Sequence, residues 1–496
     1  MKKKKQTKNL ELYNIFYILL LIITSVIFSI ALCLKSNFSS TTMEQLLYNT
    51  LNMHVTQNIA FMNQFIAKII LVATIFIASL LLPIIVQSMI KIELSFKIKS
   101  KKIKIFPINL KKYSLFLSIV ALLIMGFQLK VPSFIYHQIF TSKLYEEYYV
   151  PYKEENITFP EQKQNLIMIF VESLENSAFT TQNGGIQSVS YMPNLEQLAT
   201  EYTNFSNTDT IGGFNVLNGT NWTAAGLIAQ TSGVPINIKT TNKKQEFLSG
   251  VTSIGEILKD NGYKNYISMG SDSNFGDRYK YFKEHGNYTI YDYNYAKESA
   301  YIPEYYYEWW GFEDRKLYEL AKSKLTTISK ENEPFNFTML TADTHFFDGY
   351  TSPNCPTKFD SHYANSYYCA DMMLYNFIEW IKKQDFYENT TIVITGDHLT
   401  MRDDFYKAPK NYDKTAFNLF INSKIESEHT KNREFTSMDI YPTTLAALGV
   451  EIKDNRLGLG TNLFSNKKTI AEEIGTKKLN QELQKRSKYY QKNLLK

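Results

Sequence analysis

TTIVITGDH, residues 390–398, is an unbroken uncharged run that stops on a carboxylate and an imidazole, Asp397 and His398. A strand buried on both faces needs such a continuous run, whereas a strand with one wet face alternates. Two other stretches share the form. NLIMIFVES (165–173) stops on Glu172 and Ser173, and PFNFTMLTADTH (334–345) stops on Asp343, Thr344 and His345. Segments of helical character lie between and beyond them. TSIGEILKDNGY (252–263) reads as a helix, followed by a strand at KNYISMG, and EDRKLYELAKSKL (313–325) reads as another helix. CADMMLYNFIEWIKKQ (369–384) places Met373, Phe377 and Trp380 on one stripe, and SMDIYPTTLAALGV (437–450) closes with a short helix after Pro442. Such alternation predicts an α/β domain with a largely parallel sheet covered by helices. Ligands of open α/β sheets bind beyond the carboxyl ends of the strands. The three polar endings are therefore expected on one rim.

Outward from this body, the amino-terminal 130 residues have a different character. Between Glu11 and Lys35 lie 23 uncharged residues, between Lys68 and Lys91 another 22, and between Lys112 and Lys130 another 17. A bilayer core takes roughly 20 apolar residues as a helix, so spans are expected at about 12–34, 69–90 and 113–129. Buried core helices are the alternative for runs of this kind. A cleavable signal peptide is a poor reading, since no small-residue site follows Leu34. Residues 2–8 carry five lysines and the 91–112 loop eight, while the 36–67 loop has none apart from its flanks. Lys/Arg excess marks the cytoplasmic side. The amino terminus and the 91–112 loop are thus expected inside, and everything after Lys130 outside.

Charge follows the same division. The chain carries +6 overall, but residues 1–130 hold 16 lysines against 3 acids, leaving a net −7 for the rest. The average is no argument for a nucleic-acid partner, and none is expected. Aromatic residues at 15% exclude a disordered chain, and 21 Gly with 13 Pro exclude a collagen-like one. Three cysteines are too few for a disulfide scaffold or a multi-cysteine zinc protein. Cys33 falls in the first span. Cys355 and Cys369 fall in the exported body, where an oxidising compartment permits a bridge between them. The expected organisation is a transmembrane anchor (1–130), an interfacial linker (131–160), a catalytic domain (161–466) and a charged carboxyl-terminal helix (467–496).

The stretch NGTNWTAAGLIAQTSGVPI (218–236) supplies a hydroxyl to join the acids. Thr223 opens a run of small residues, where an ordinary reading makes it a helix N-cap. The same place suits a nucleophile, because free N–H groups at a helix start favour a phosphorylated hydroxyl. A Thr hydroxyl needs a base or a metal to activate it. Glu172, Asp397 and His398 are the candidate holders of a divalent cation, with Mn²⁺ expected and Mg²⁺ or Zn²⁺ as alternatives.

Glu172 in FVES, Thr223 in NWT, His345 in TADTH and Asp397-His398 in TGDH resemble the site of the alkaline phosphatase and sulfatase superfamily. Within it, the chain is most similar to the membrane-anchored branch of lipoteichoic acid synthase and phosphoglycerol transferase I, the latter more closely. The likeness covers about residues 160–465 and includes GTNWTAAGLIAQTSGVP, WGFEDRKLYELA, PFNFTMLTADTHFFDGY, the Cys355/Cys369 pair, FYENTTIVITGDHLTM and NRLGLGTNLF. The resemblance implies a sulfatase-like α/β sandwich, Thr223 as nucleophile and Glu172, Thr223, Asp397 and His398 as ligands of one metal ion. It implies that His345 hydrogen-bonds a phosphate oxygen, the alternative being a surface histidine beside Asp343. In lipoteichoic acid synthase an aromatic and an arginine grip the glycerol phosphate head group. Phe275 and Arg278 in SNFGDRYKYFKEHG (273–286) lie in the corresponding place, a solvated Arg278 being the other reading.

Two departures narrow the chemistry. No C/S-x-P-x-R context surrounds Thr223, which argues against sulfate-ester hydrolysis, and the rim offers one clear ligand set where alkaline phosphatases hold two zinc ions. The implied activity is transfer of phosphoglycerol from phosphatidylglycerol to a periplasmic or cell-surface glycan through a phosphoglycerol-threonine intermediate. The alternatives are a phosphoethanolamine transferase on lipid A or glycan, a glycerol phosphate polymerase, and an inactive homologue in lipid transport or regulation. The last is expected to lose metal ligands, and here all four positions are filled.

Overall fold

A computed structural model describes residues 2–37, 43, 47–48, 59–90, 94–98, 101–106, 108–331, 333–402 and 404–496. Most of the 36–67 connection, and residues 91–93, 99–100 and 107 of the basic loop, lie outside the described residues. The chain divides into two compact units, Met1–Met43 with Asn58–Ile135, and Glu44–Gln57 with Tyr136–Lys496.

The first unit contains α1 (Lys2–Asn37), α2 (Ile59–Met89) and α3 (Leu110–Gln128). Each holds a stretch long and apolar enough to cross a membrane: Asn14–Ser36, Phe65–Met89 and Leu110–Gln128. Helix α1 packs against both others. Three hydroxyls within its span find protein partners: Thr24 Oγ1 meets Ser118 Oγ at 2.9 Å, and Ser25 and Ser29 donate to the carbonyls of Leu21 and Ser25. Large apolar side chains such as Ile70, Leu71, Phe116 and Phe127 face outward. That surface is costly in water and ordinary against lipid. The third helix starts at Leu110, earlier than the expected 113, because Asn109 caps it by accepting from the Lys112 amide at 3.0 Å. The basic loop folds as an antiparallel hairpin of Leu94–Ile98 and Lys101–Phe106.

The second unit is built on a seven-stranded sheet of β1 (Asn165–Val171), β2 (Gly213–Phe214), β3 (Lys264–Met269), β4 (Thr289–Tyr291), β5 (Phe335–Leu340), β6 (Thr390–Gly396) and β7 (Ala416–Ile421). Their order is β2-β7-β6-β1-β5-β3-β4. Five strands are mutually parallel, and β7 and β2 complete one edge in antiparallel fashion. Strand β1 shows why its run is continuous. Leu166, Met168 and Phe170 enter one hydrophobic core, and Ile167, Ile169 and Val171 enter the other. Successive side chains alternate faces, so a strand covered twice has no polar position to spare.

Helices α4 (Thr223–Ser232), α5 (Ile254–Asp260), α6 (Arg278–Glu284), α7 (Asp314–Ile328), α8 (His362–Ile381) and α9 (Ile440–Ala447) accompany the sheet. A capping box at Ser253 and Glu256 starts α5. Helix α8 begins seven residues before the expected 369, where the Ser361 side chain accepts from the Ala364 amide. Pro442 lies inside the first turn of α9 rather than ahead of it, which its missing N–H permits, since first-turn amides have no helical acceptor.

The carboxyl-terminal segment departs from the single helix expected over 467–496. Gly475, at φ +84, separates Ile470–Ile474 from Thr476–Gln484, and a further turn covers Tyr490–Leu494. Ile470, Leu479, Leu483, Tyr490 and Leu494 are buried in the main core, so the charged composition hides a spaced set of apolar anchors.

Candidate active site

Strand register builds the site. Val171 pairs with Gly396 and Phe170 with both Thr395 and Leu340, so β6, β1 and β5 end side by side. Glu172 and Asp397 are therefore neighbours, each the first residue beyond its strand, and His398 follows. Ligand atoms of Glu172, Asp397 and His398 all lie within 4.8 Å of one another, and all three residues are buried. His398 Nε2 is 3.4 Å from Asp397 Oδ2 and 3.6 Å from Glu172 Oε1.

Thr223 joins them from α4. The helix starts at Thr223 with Trp222 in the cap position, so the hydroxyl is not spent on capping. Thr223 Oγ1 lies 3.3 Å from Glu172 Oε2 and 3.3 Å from His398 Nε2. Two contacts seat α4 so closely. A Cβ on Gly226 would lie 2.1 Å from the Asp397 carbonyl oxygen, and Gln230 Nε2 donates to Gly396 O at 3.0 Å. Only a glycine permits that approach.

The acids are oriented by neighbours to which sequence reasoning gave no role, although it placed Ser173 and Thr344 on the rim. Ser173, at φ +55, donates its N–H to Asp397 Oδ1 at 2.8 Å and its hydroxyl to Glu172 Oε1 at 2.7 Å. A left-handed serine carries strain, held here by the Tyr367 hydroxyl on its carbonyl at 2.9 Å. Thr341 Oγ1 accepts from the Glu172 amide and Thr344 Oγ1 donates to the Glu172 carbonyl. The only available signal was position, immediately after the strands.

The electrostatics of these residues suit a cation. Asp397 Oδ2 is buried with no hydrogen-bond donor. Burial, reinforced by the Glu172 charge, pushes the Asp397 carboxyl up to about 7. Burial alone would lower the His398 imidazole, but Asp397 and Glu172 leave it raised. With Nδ1 2.7 Å from the Leu399 carbonyl, the ring donates there and turns its Nε2 lone pair toward the carboxylates. Two buried acids, one aimed imidazole and an orphaned oxygen fit a divalent ion.

The remaining candidates line the approach. His345 sits between the rings of Trp310, at 4.5 Å, and Phe346, at 4.7 Å, with Nδ1 2.6 Å from the Phe346 carbonyl. Burial lowers its imidazole to about 4. Arg278 is not a solvated arginine. It is 5% exposed, and its Nε and Nη2 donate to the carbonyls of Phe275 and Asp272. Burial lowers its guanidinium to about 10, and no carboxylate ion pair holds it among the described residues. Phe275 stays exposed at 42%, its ring 5.7 Å from the guanidinium carbon. The loop carrying both touches α4, where a Cβ on Gly276 would lie 3.2 Å from Ala224 Cβ. Tyr48 adds a contact that the sequence did not announce: its ring lies 5.5 Å from Trp222 and its hydroxyl donates to Asp277 Oδ2 at 3.4 Å.

Behind His345, Asp343 and Asp314 form a buried pair. Asp314 accepts from the amides of Ala342 and Asp343, and Asp343 Oδ1 accepts from the Asp314 amide at 3.1 Å. Burial pushes Asp314 up to about 7 and, reinforced by the Asp314 charge, raises Asp343 well above the usual carboxylate range. Beyond the rim, Cys355 and Cys369 are joined as a disulfide with Cα atoms 5.5 Å apart.

Comparison with known proteins gives the chain's relatives. The chain is 31% identical over 324 residues to phosphoglycerol transferase I of Escherichia coli O127:H6, covering 63% of this chain and 41% of that protein, and equally to the enzyme of Escherichia coli K12. The chain thus spans about two fifths of the length of the curated relatives it matches. Among solved structures, it is similar to a lipoteichoic acid synthase from Listeria monocytogenes, with 20% identity and a TM-score of 0.49 over 66% of this chain and 82% of that one. It is also similar to an alkaline phosphatase superfamily protein from Vibrio parahaemolyticus, with 22% identity and a TM-score of 0.46 over 61% and 72%. The sulfatase family model matches residues 164–450, the whole span from β1 through α9 that carries Glu172, Thr223, Asp397 and His398. By that match over more than half its length, the chain belongs to the sulfatase family.

Proposed function

We propose that this protein is a membrane-anchored phosphoglycerol transferase. It takes phosphoglycerol from phosphatidylglycerol, releases diacylglycerol, and passes the group to a hydroxyl of a periplasmic or cell-surface glycan. The observation that carries the reading is the Thr223 hydroxyl, unspent as a cap and lying 3.3 Å from both Glu172 and His398. The curated relatives named phosphoglycerol transferase I, 31% identical over 324 residues, support the choice of group. Sulfate-ester hydrolysis has less behind it, because the residues around Thr223 lack the C/S-x-P-x-R context.

In this reading Thr223 Oγ1 attacks the donor's phosphorus in line. The Thr–O–P bond forms as the bond from phosphorus to the diacylglycerol oxygen breaks. The threonine proton leaves along the hydrogen bond to Glu172 Oε2 and passes on to solvent water, and the departing diacylglycerol alkoxide takes a proton from solvent water on its own side, so protons balance. An acceptor hydroxyl then displaces Thr223, returning a proton to it, and two inversions give ping-pong kinetics with retention at phosphorus. The first-turn amides of α4 favour the anionic intermediate. Arg278 offers a guanidinium not committed to a carboxylate, suited to a phosphate oxygen. His345, with Nδ1 held by a carbonyl, faces phosphate through Nε2 and donates there only when protonated.

The divalent ion that Glu172, Thr223, Asp397 and His398 would hold, expected to be Mn²⁺ with Mg²⁺ or Zn²⁺ as alternatives, supplies positive charge against the phosphoryl oxygens and lowers the hydroxyl's pKa. The lysine pattern supports an amino terminus in the cytoplasm and a catalytic body outside, on the side of an outer-leaflet lipid donor.

The test supplies the full-length protein with manganese and labelled phosphatidylglycerol or phosphatidylethanolamine. Diacylglycerol release from phosphatidylglycerol, a glycerol phosphate adduct on Thr223 by mass spectrometry, and loss of both in Thr223→Ala are expected. Release by Thr223→Ala at the parent rate would sink the mechanism, and preference for phosphatidylethanolamine would replace the head group.

A further inference from the structure

The turn at 308–312 holds two adjacent tryptophans in different states. Trp309 sits at φ +59, a left-handed conformation that a bulky residue adopts only under constraint. The constraint is visible. Glu308 and Gly311 exchange backbone hydrogen bonds at 2.9 and 3.0 Å, the Phe312 amide donates to Gly270 O at 3.0 Å, and Trp309 Nε1 donates to Ala342 O at 2.8 Å. The turn is thereby tied both to the strand end that carries His345 and to the start of the loop that carries Phe275 and Arg278.

Trp310 is what this strain orients. Its ring lies 4.5 Å from that of His345 and 6.1 Å from that of Phe275, bridging the two walls of the site. Its Nε1 is buried and has no acceptor. A buried indole N–H ordinarily finds a partner, and an unspent one costs stability. An acceptor that arrives with the substrate removes that cost only in the complex.

We propose that Trp310 is a head-group-selecting residue: its indole N–H donates to a hydroxyl oxygen of the donor lipid's glycerol head group. The assignment rests on the phosphoglycerol-transfer reading and names what discriminates within it. A glycerol hydroxyl has lone pairs to accept the N–H. An ethanolamine ammonium has none, and it meets the buried Arg278 cation on the same side of the site. Leaving a buried donor unpaired against the wrong head group is how a polar site rejects an analogue.

The experiment compares the full-length parent with Trp310→Phe, which keeps a ring and removes the N–H. Both are reconstituted in vesicles containing phosphatidylglycerol or phosphatidylethanolamine, and diacylglycerol release is followed against donor fraction. For Trp310→Phe, KM for phosphatidylglycerol is expected to rise about three- to tenfold, the worth of one hydrogen bond, with kcat within about twofold. Turnover of phosphatidylethanolamine is expected to stay at the parent level, so the lipid preference narrows by the same factor. Unchanged KM and preference overturn the assignment. An equal loss on both lipids also overturns it, since that places the N–H on the shared phosphate or reports a damaged fold. A parent that prefers phosphatidylethanolamine overturns the phosphoglycerol reading itself, a result distinct from either.

Discussion

Replacing Gly226 by alanine tests whether the seating of α4 sets the chemistry. The added Cβ would stand 2.1 Å from the Asp397 carbonyl oxygen and 2.9 Å from its carbonyl carbon. Both are backbone atoms that no rotamer change can move aside. A relaxed C···O contact is about 3.3 Å or more, so the helix must withdraw by about 1 Å. The withdrawal moves Thr223 away from Glu172 Oε2 and His398 Nε2, each 3.3 Å from its hydroxyl. Overpacking of this kind costs about 1–3 kcal/mol of stability, while a misplacement of about 1 Å at the reacting atoms costs about a hundredfold in rate. Gly262→Ala is the control. That glycine sits at φ +85 with nothing within 4 Å of the added carbon, so the expected cost is about 1 kcal/mol of backbone strain with no change in rate. Diacylglycerol release and thermal unfolding are measured on all three full-length proteins. Should Gly226→Ala turn over within about threefold of the parent while folded, the close approach of α4 to Asp397 does not position the nucleophile.

Three further outcomes are expected. Chelation of divalent ions should abolish transfer and lower the unfolding temperature; manganese should restore both in the parent, but should no longer raise the unfolding temperature of Asp397→Asn. The Asp314–Asp343 pair should make stability fall with rising pH. Its folded pKa values are raised, Asp314 to about 7, so the stabilisation is full below about pH 4 and lost as pH rises through about 7, on the order of 4 kcal/mol. Asp343→Asn removes the like charge, and unfolding curves from pH 5 to 8 should show a flatter decline than the parent; an identical decline refutes the pairing. Reduction of the Cys355–Cys369 bridge, which closes a separation of 14 residues, should cost about 3 kcal/mol. The Cys355→Ser/Cys369→Ser protein should start at the reduced unfolding temperature and ignore reductant.

The strands were legible because their environment leaves no freedom of composition. NLIMIFV and TTIVITG are covered on both faces, and a continuous run free of charge is what two cores at once require. The three long apolar helices were legible for a like reason, since length and charge exclusion are properties of the chain alone. Glu172, Asp397 and His398 could be named because the parallel order of β6, β1 and β5 brings strand ends to one edge. Element limits were less accessible. The early start of α8, the enclosure of Pro442 in α9 and the break at Gly475 depend on caps and on what each segment packs against.

By itself, then, the sequence determined the kind of fold, the apolar anchor and the residue types gathered at the strand ends, because burial and spacing are written into local composition. Tertiary structure alone decided that Thr223 occupies the first helical position and spends its hydroxyl on Glu172 and His398 instead of on a cap. It decided that Arg278 is buried without a carboxylate partner. It also set Trp310 across the gap between His345 and Phe275, residues 35 positions away on either side. Each of these is a distance between segments remote in the chain. Such distances follow from how closely two backbones approach, as at Gly226 and Asp397, and no local pattern of residues encodes them.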